Sequence, residues 1–211
     1  MRKSSFFVPF ALVTCSTLLV LTPACGSDSS TTEDAGTGKT DRRFTGTRRP
    51  AASCEVLLES PDVLQSPHVP IGSPVTYNST PPSSGPHFPS WANFIEYDKP
   101  VPMGYLVHSM EHGAVVLLYK CDSPTGPGCA DLVAGLRKVR DAARTDPLCS
   151  AAIRARIIIA PEPTLPRPIA AAAWGFTYQA ACVDAPTLGQ FVSENYALGP
   201  ENFCTEGITS F

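Results

Sequence analysis

His108-Ser109-Met110-Glu111-His112-Gly113-Ala114-Val115-Val116-Leu117-Leu118-Tyr119 joins two structural periods without a break. Read as a helix, its first half places His108, Glu111 and His112 on one face, because residues three and four apart are neighbours there. Gly113 is a natural helix terminator, since glycine takes the left-handed conformation that closes a helix. The aliphatic run Ala114–Tyr119 then reads as a buried strand. If the first half is extended instead, His108, Met110 and His112 share a face and Glu111 points away. Both conformations leave the two imidazoles together, immediately before the strand.

Outward from this stretch the pattern is mixed. Asp131 to Ala143 has the spacing of an amphipathic helix, with Leu132, Leu136, Val139 and Ala143 on its stripe. Arg156–Ala160 reads as a second strand, stopped by Pro161. Ile169–Tyr178 reads as a third strand. Thr187–Tyr196 reads as a helix, with Thr187 or Asp184 near its start. Residues 61–104 are rich in Pro, Gly, Ser and Asn and predict ordered loop with short strands. The expected fold is α+β. It has a small mixed β-sheet, two or three helices, a loop-rich, Pro-containing N-terminal half, and disulfides for reinforcement. A thioredoxin-like half shares the β-α-β-β-α order, but without a C-x-x-C the likeness is one of topology alone.

Composition narrows the function classes. Of 211 residues, 22 are Pro and 15 are Gly, which speaks against a helical bundle. The formal charge is −3, so there is no basic excess to neutralise phosphates, and nucleic-acid binding is disfavoured. No phosphate-binding Gly loop and no G-x-S-x-G elbow occur, and no organic cofactor is signalled.

The N-terminus has the pattern of an export signal. Arg2 and Lys3 precede an apolar run from Phe6 to Leu21, the length of a signal core and short for a membrane span. Ala24 directly before Cys25, with Gly26 and Ser27 after it, matches a bacterial lipoprotein signal. Thr22 stands where such signals usually carry Leu. The expected organisation is a signal peptide over 1–24, a lipidated Cys25 opening a polar tether over 25–51, and one globular domain over 52–211. Ordinary secretion with cleavage after Ala24 is the alternative. Residues 26–50 are too polar to offset their ordering entropy and read as disordered. The predicted location is the extracytoplasmic cell envelope, anchored in the membrane by lipid. Gly26 favours the outer membrane in a Gram-negative cell. No protein partner is indicated.

Eight cysteines suit an exported chain. Setting aside Cys15 in the signal and Cys25 at its end leaves Cys54, Cys121, Cys129, Cys149, Cys182 and Cys204 as disulfide candidates. Six cysteines allow 15 connectivities. Cys121 and Cys129 flank a turn-rich loop that they are placed to close.

The chemistry is concentrated in the histidines. All four, His68, His87, His108 and His112, fall in one segment. His87 sits in Pro81-Pro82-Ser83-Ser84-Gly85-Pro86-His87-Phe88-Pro89, where proline and glycine make a stiff loop able to present a side chain at a defined position. His68 is flanked by Pro67 and, two residues on, Pro70. Three imidazoles, His87, His108 and His112, with His68 or Glu111 as a fourth ligand, point to a transition-metal site for copper or zinc. Alternatives are a hydrolase in which Glu111 acts as general base, and a structural lipoprotein in which the histidines bridge loops.

The Pro-Pro-Ser-Ser-Gly-Pro-His-Phe string ending at Phe88, the Val-His-Ser-Met-Glu-His-Gly string ending at Gly113, Trp174-Gly175, and Gly199-Pro200-Glu201-Asn202 together resemble the bacterial domain of unknown function 3105. The resemblance spans about 68–205. It implies a domain and a motif, with no activity attached. Phe88 stands where that family commonly has Tyr, and Met110 where it commonly has Leu.

Overall fold

The computed structural model describes residues 52–121 and 128–211. The expected signal, lipidated cysteine and tether lie outside the described residues. The elements in chain order are β1 (Val56–Glu59), α1 (Met103–Glu111), β2 (Val115–Tyr119), α2 (Cys129–Ala142), β3 (Ile157–Pro161), β4 (Ile169–Ala173), β5 (Phe176–Ala180) and α3 (Ala185–Asn195). The fold is α+β, with a five-stranded mixed sheet in the order β1-β5-β4-β2-β3. β2 and β3 pair in parallel through α2. β2 with β4, β4 with β5, and β1 with β5 pair antiparallel.

Two apolar cores lie on opposite faces of the sheet, and strand alternation sorts the residues between them. Val116, Leu118, Ile158, Ala160, Ala170 and Ala172 face α1 and the Pro-rich segment. Val115, Leu117, Tyr119, Ile157, Ile159 and Ala171 face the other way, towards α2 and α3. The four strands β2 to β5 are buried along their whole length, the edge strand β3 included. That explains their near-continuous apolar runs, since a strand covered on both faces has no polar side.

Three local readings are refined. Ile169–Tyr178 is a hairpin of β4 and β5 rather than one strand, because Trp174-Gly175 turns the chain and Gly175 takes φ +76°. The buried stripe of α2 is Cys129, Val133, Leu136 and Val139, with Leu132 and Ala143 only partly buried beside it. β1 was not evident from its four residues, and it is held as an edge by pairing with β5. At the opposite edge, Tyr97 N–H donates to Ile159 O and Ile159 N–H donates to Ile95 O, covering β3 with loop. Asp184 caps α3, accepting from Thr187 N–H at 3.0 Å, and also accepts from Ser53 N–H at 2.7 Å. Disulfides join Cys54–Cys182, Cys121–Cys129 and Cys149–Cys204. Among the described residues no helix is long and apolar enough to cross a membrane.

α1 positions the site. From Gly104 to Glu111 every residue is buried, so this helix is a core element enclosed on all sides. It closes in a Schellman motif: Gly113 N–H donates to Met110 O, Ala114 N–H donates to Ser109 O, and Gly113 takes φ +87°. The chain thus passes from helix to β2 within a few residues, as the sequence pattern requires.

Candidate metal centre

His68, His87, His108 and Glu111 each present one ligand atom, and these atoms all lie within 4.8 Å of one another. The three imidazole rings form a nearly equilateral group, with centroids 4.9 Å (His68–His87), 5.0 Å (His68–His108) and 4.7 Å (His87–His108) apart. Three chain segments supply them. His108 and Glu111 stand one turn apart on α1. His87 and His68 come from two Pro-rich strips that pair as a short parallel bridge, with Val69 N–H donating to His87 O and His87 N–H donating to Pro67 O.

The His87 strip is seated by its neighbour. Phe88 N–H donates to Gly104 O, and the Phe88 ring lies where a Cβ on Gly104 would be, 2.7 Å from that position. Glycine at 104 therefore lets the aromatic ring press onto the helix backbone. Tyr105 adds an edge contact to the same ring at 4.8 Å.

Two hydrogen bonds set the tautomers. His87 Nδ1 lies 2.9 Å from Gly85 O, and His108 Nδ1 lies 2.6 Å from Phe88 O. A carbonyl only accepts, so each Nδ1 carries the proton and donates it. In the neutral ring each Nε2 is then a lone pair. Backbone carbonyls hold metal-binding histidines in this way, fixing tautomer and ring orientation together. Burial pushes His108 below the usual imidazole range, against the Phe88 hydrogen bond, which favours charge. The neutral ring is the ligand form.

His87 is fully buried. Its Nε2 lies 2.9 Å from Glu111 Oε2, yet makes no hydrogen bond among the described residues. Glu111 Oε1 accepts from Ser66 Oγ at 3.2 Å. In the neutral ring, with Nδ1 as the donor, Nε2 and Oε2 are two acceptors facing each other in a buried place. Such a pair calls for a cation between its members, and the donor set of three imidazoles and one carboxylate fits a transition-metal ion.

His112 stands apart from this group, although it was expected among the ligands. With about 100° of turn per residue, Glu111 and His112 diverge to opposite sides of His108. Glu111 turns towards His87 and Ser66. His112, the C-cap of α1, turns towards Trp91 (ring centroids 4.5 Å apart), Phe203 (3.8 Å) and Glu201, whose Oε2 is 3.0 Å from its Nε2. Burial, the neighbouring imidazoles and Arg156 push His112 down to about 3. It is therefore neutral. Its ring still lies 4.6 Å from that of His108, so it walls the site without joining the donor set.

Several supporting residues had no signal in the histidine pattern. Ser66 orients Glu111, and Trp91 packs against both His108 and His112. Arg156 is 1 % exposed. It reaches Asp146 Oδ2 at 2.7 Å, His112 O at 2.7 Å and Asn202 Oδ1 at 2.9 Å. It thereby ties the end of α1 to the segment that carries Glu201. Gly199 lies against the same helix end, where a Cβ would fall 2.2 Å from Glu111 O. The Gly199-Pro200-Glu201-Asn202 string was the one sequence cue to this region.

A family described as "Protein of unknown function (DUF3105)" matches residues 68–206. No curated protein and no solved structure matches the chain significantly. The matched span contains every residue of the cluster.

Proposed function

The chain belongs to the DUF3105 family, and we propose that its domain binds one divalent transition-metal ion through His68, His87, His108 and Glu111. The observation that carries this reading is the opposed acceptor pair. His87 Nε2 and Glu111 Oε2 lie 2.9 Å apart with the imidazole proton committed to Gly85 O. Neutral imidazoles and a carboxylate are borderline-to-hard donors, which favours zinc or copper(II). A soft copper(I) site would need sulfur. The six cysteines of the domain are paired, and Met110 belongs to the apolar core. Glu111 is assigned as a ligand rather than a general base, because Ser66 holds its Oε1 and its Oε2 is aimed at His87 Nε2 inside the cluster.

We further propose that the protein is an exported, lipid-anchored component of the cell envelope. The apolar run before Cys25, the Ala24-Cys25-Gly26 junction and the polar stretch after it support that placement. So does a domain with three disulfides, which persist in oxidising compartments.

The test is stoichiometry. The full chain is exported to an oxidising compartment, purified without chelator, and its metals are counted by mass spectrometry. One equivalent of a single ion, lost in His87→Ala/His108→Ala, is expected. Copper(II) added to the metal-free protein also quenches Trp91 in a Trp174→Phe background, since the Trp91 ring lies 5.4 Å from that of His108. A folded protein that takes up neither zinc nor copper refutes the proposal. Its histidine–glutamate cluster is then a structural pair.

A further inference from the structure

The four proposed ligands differ in how they are held. His87, His108 and Glu111 are buried at 0 %, 4 % and 8 % exposure. His68 is exposed. Its neighbours Pro67 and Pro70 are exposed too, and two backbone hydrogen bonds fasten its strip to His87. The buried three stand on a core helix and on a strip pinned through Phe88 to Gly104. The buried three are enclosed by the core, whereas His68 is open to solvent.

We infer that the His68 position is the exchange position of the site: an imidazole from another molecule replaces His68 on the ion while His87, His108 and Glu111 retain it. The inference rests on the metal reading above and adds how the ion communicates with the outside. The step is a substitution. The bond from the metal to His68 breaks, one from the metal to the incoming neutral imidazole nitrogen forms, and no electron or proton is transferred. A histidine side chain on a partner protein is the chemistry that fits, because it reproduces the donor it displaces. The domain then holds the ion as cargo, with three inner ligands as a cup and the fourth as a handover point.

The test uses the full chain loaded with cobalt(II), whose visible spectrum reports its ligands, and free imidazole as the probe. His68→Gly is expected to weaken cobalt binding by at least ~10–100-fold, the scale that losing a mere outer-shell partner already reaches, and to regain the wild-type spectrum on adding imidazole. His87→Gly, at a position sealed from solvent, is expected to lose the site without rescue. On the wild-type protein, imidazole is expected to speed transfer of the ion to a competing chelator. The inference is overturned if His68→Gly binds cobalt but ignores imidazole, if His87→Gly is rescued equally, or if transfer is indifferent to imidazole. Those outcomes leave metal binding intact. A wild-type protein that takes up no cobalt, zinc or copper overturns the metal reading and the exchange together.

Discussion

Glu111→Gln distinguishes a metal centre from a buried ion pair, because the two make opposite demands on the same carboxylate. Gln keeps the size of Glu and keeps an oxygen for Ser66 Oγ, but it replaces one acceptor with an NH2 donor. If His87 Nε2 is a lone pair, that NH2 donates across the 2.9 Å gap, and an unsatisfied contact becomes a hydrogen bond. A net hydrogen bond is worth roughly 1 kcal/mol, so the metal-free variant is expected to equal or exceed wild type by about that amount. The effect of metal reverses this order. At an ion concentration a hundred times its dissociation constant, wild type gains about 2.7 kcal/mol, and the variant, lacking an anionic ligand, gains much less. The assay is urea unfolding of both proteins, with and without zinc, at neutral pH. If His87 is instead an imidazolium paired with Glu111, the substitution strands a buried charge and costs about 3–5 kcal/mol without metal. That loss, with zinc having no differential effect, refutes the metal argument.

Three further outcomes are expected. Asp146→Ala leaves the buried Arg156 guanidinium without its carboxylate and removes the acceptor of Tyr196 Oη–H, so chemical unfolding should show a loss of about 3–5 kcal/mol; a loss below 1 kcal/mol would mean Arg156 finds water. Gly104→Ala drives a methyl into the Phe88 ring, costing roughly 1–3 kcal/mol by overpacking and weakening metal binding as His87 shifts with Phe88; a gain of the ~1 kcal/mol that Ala normally brings to a helix would show that the ring moves freely. For pH, burial pushes Asp184 up, but hydrogen bonds from Ser53 and Thr187 outweigh it and hold the carboxyl well below its usual range; at Asp146 the same opposition, with Leu148 N–H, Tyr196 and Arg156 on the winning side, also leaves it lowered. Both folded-state values are depressed, so their stabilisation is complete above about pH 5 and is lost progressively as pH falls. Thermal scans of the metal-free protein should decline below about pH 5, and Asp184→Asn should flatten part of that decline.

Local pattern was enough for the elements that carry strong periods. The aliphatic runs of β2 and β3 identify themselves, because burial on both faces leaves a direct imprint on composition; α2 was legible as a helix, although its buried stripe is Cys129, Val133, Leu136 and Val139 and only Leu136 and Val139 of it were read. The stop at Gly113 was legible for a similar reason: only glycine takes the left-handed turn there without cost. The β4–β5 hairpin was not, since four consecutive alanines carry no alternation and the turn rests on Gly175 alone. Histidine clustering and the stiff proline loops were enough to nominate a site. They were not enough to choose its members. That choice depends on which side of α1 each strip packs. Phe88 pressed onto Gly104 brings His87 to Glu111, while Arg156 and the 199–204 segment draw His112 away to Glu201. These contacts join residues far apart in the chain, and sequence spacing carries no information about them. The amino-acid sequence by itself determined which side chains were available and how stiffly each strip presents them. Tertiary packing alone decided that His68, His87, His108 and Glu111 converge, because a donor set is a property of distances between segments, and only the folded core sets those distances.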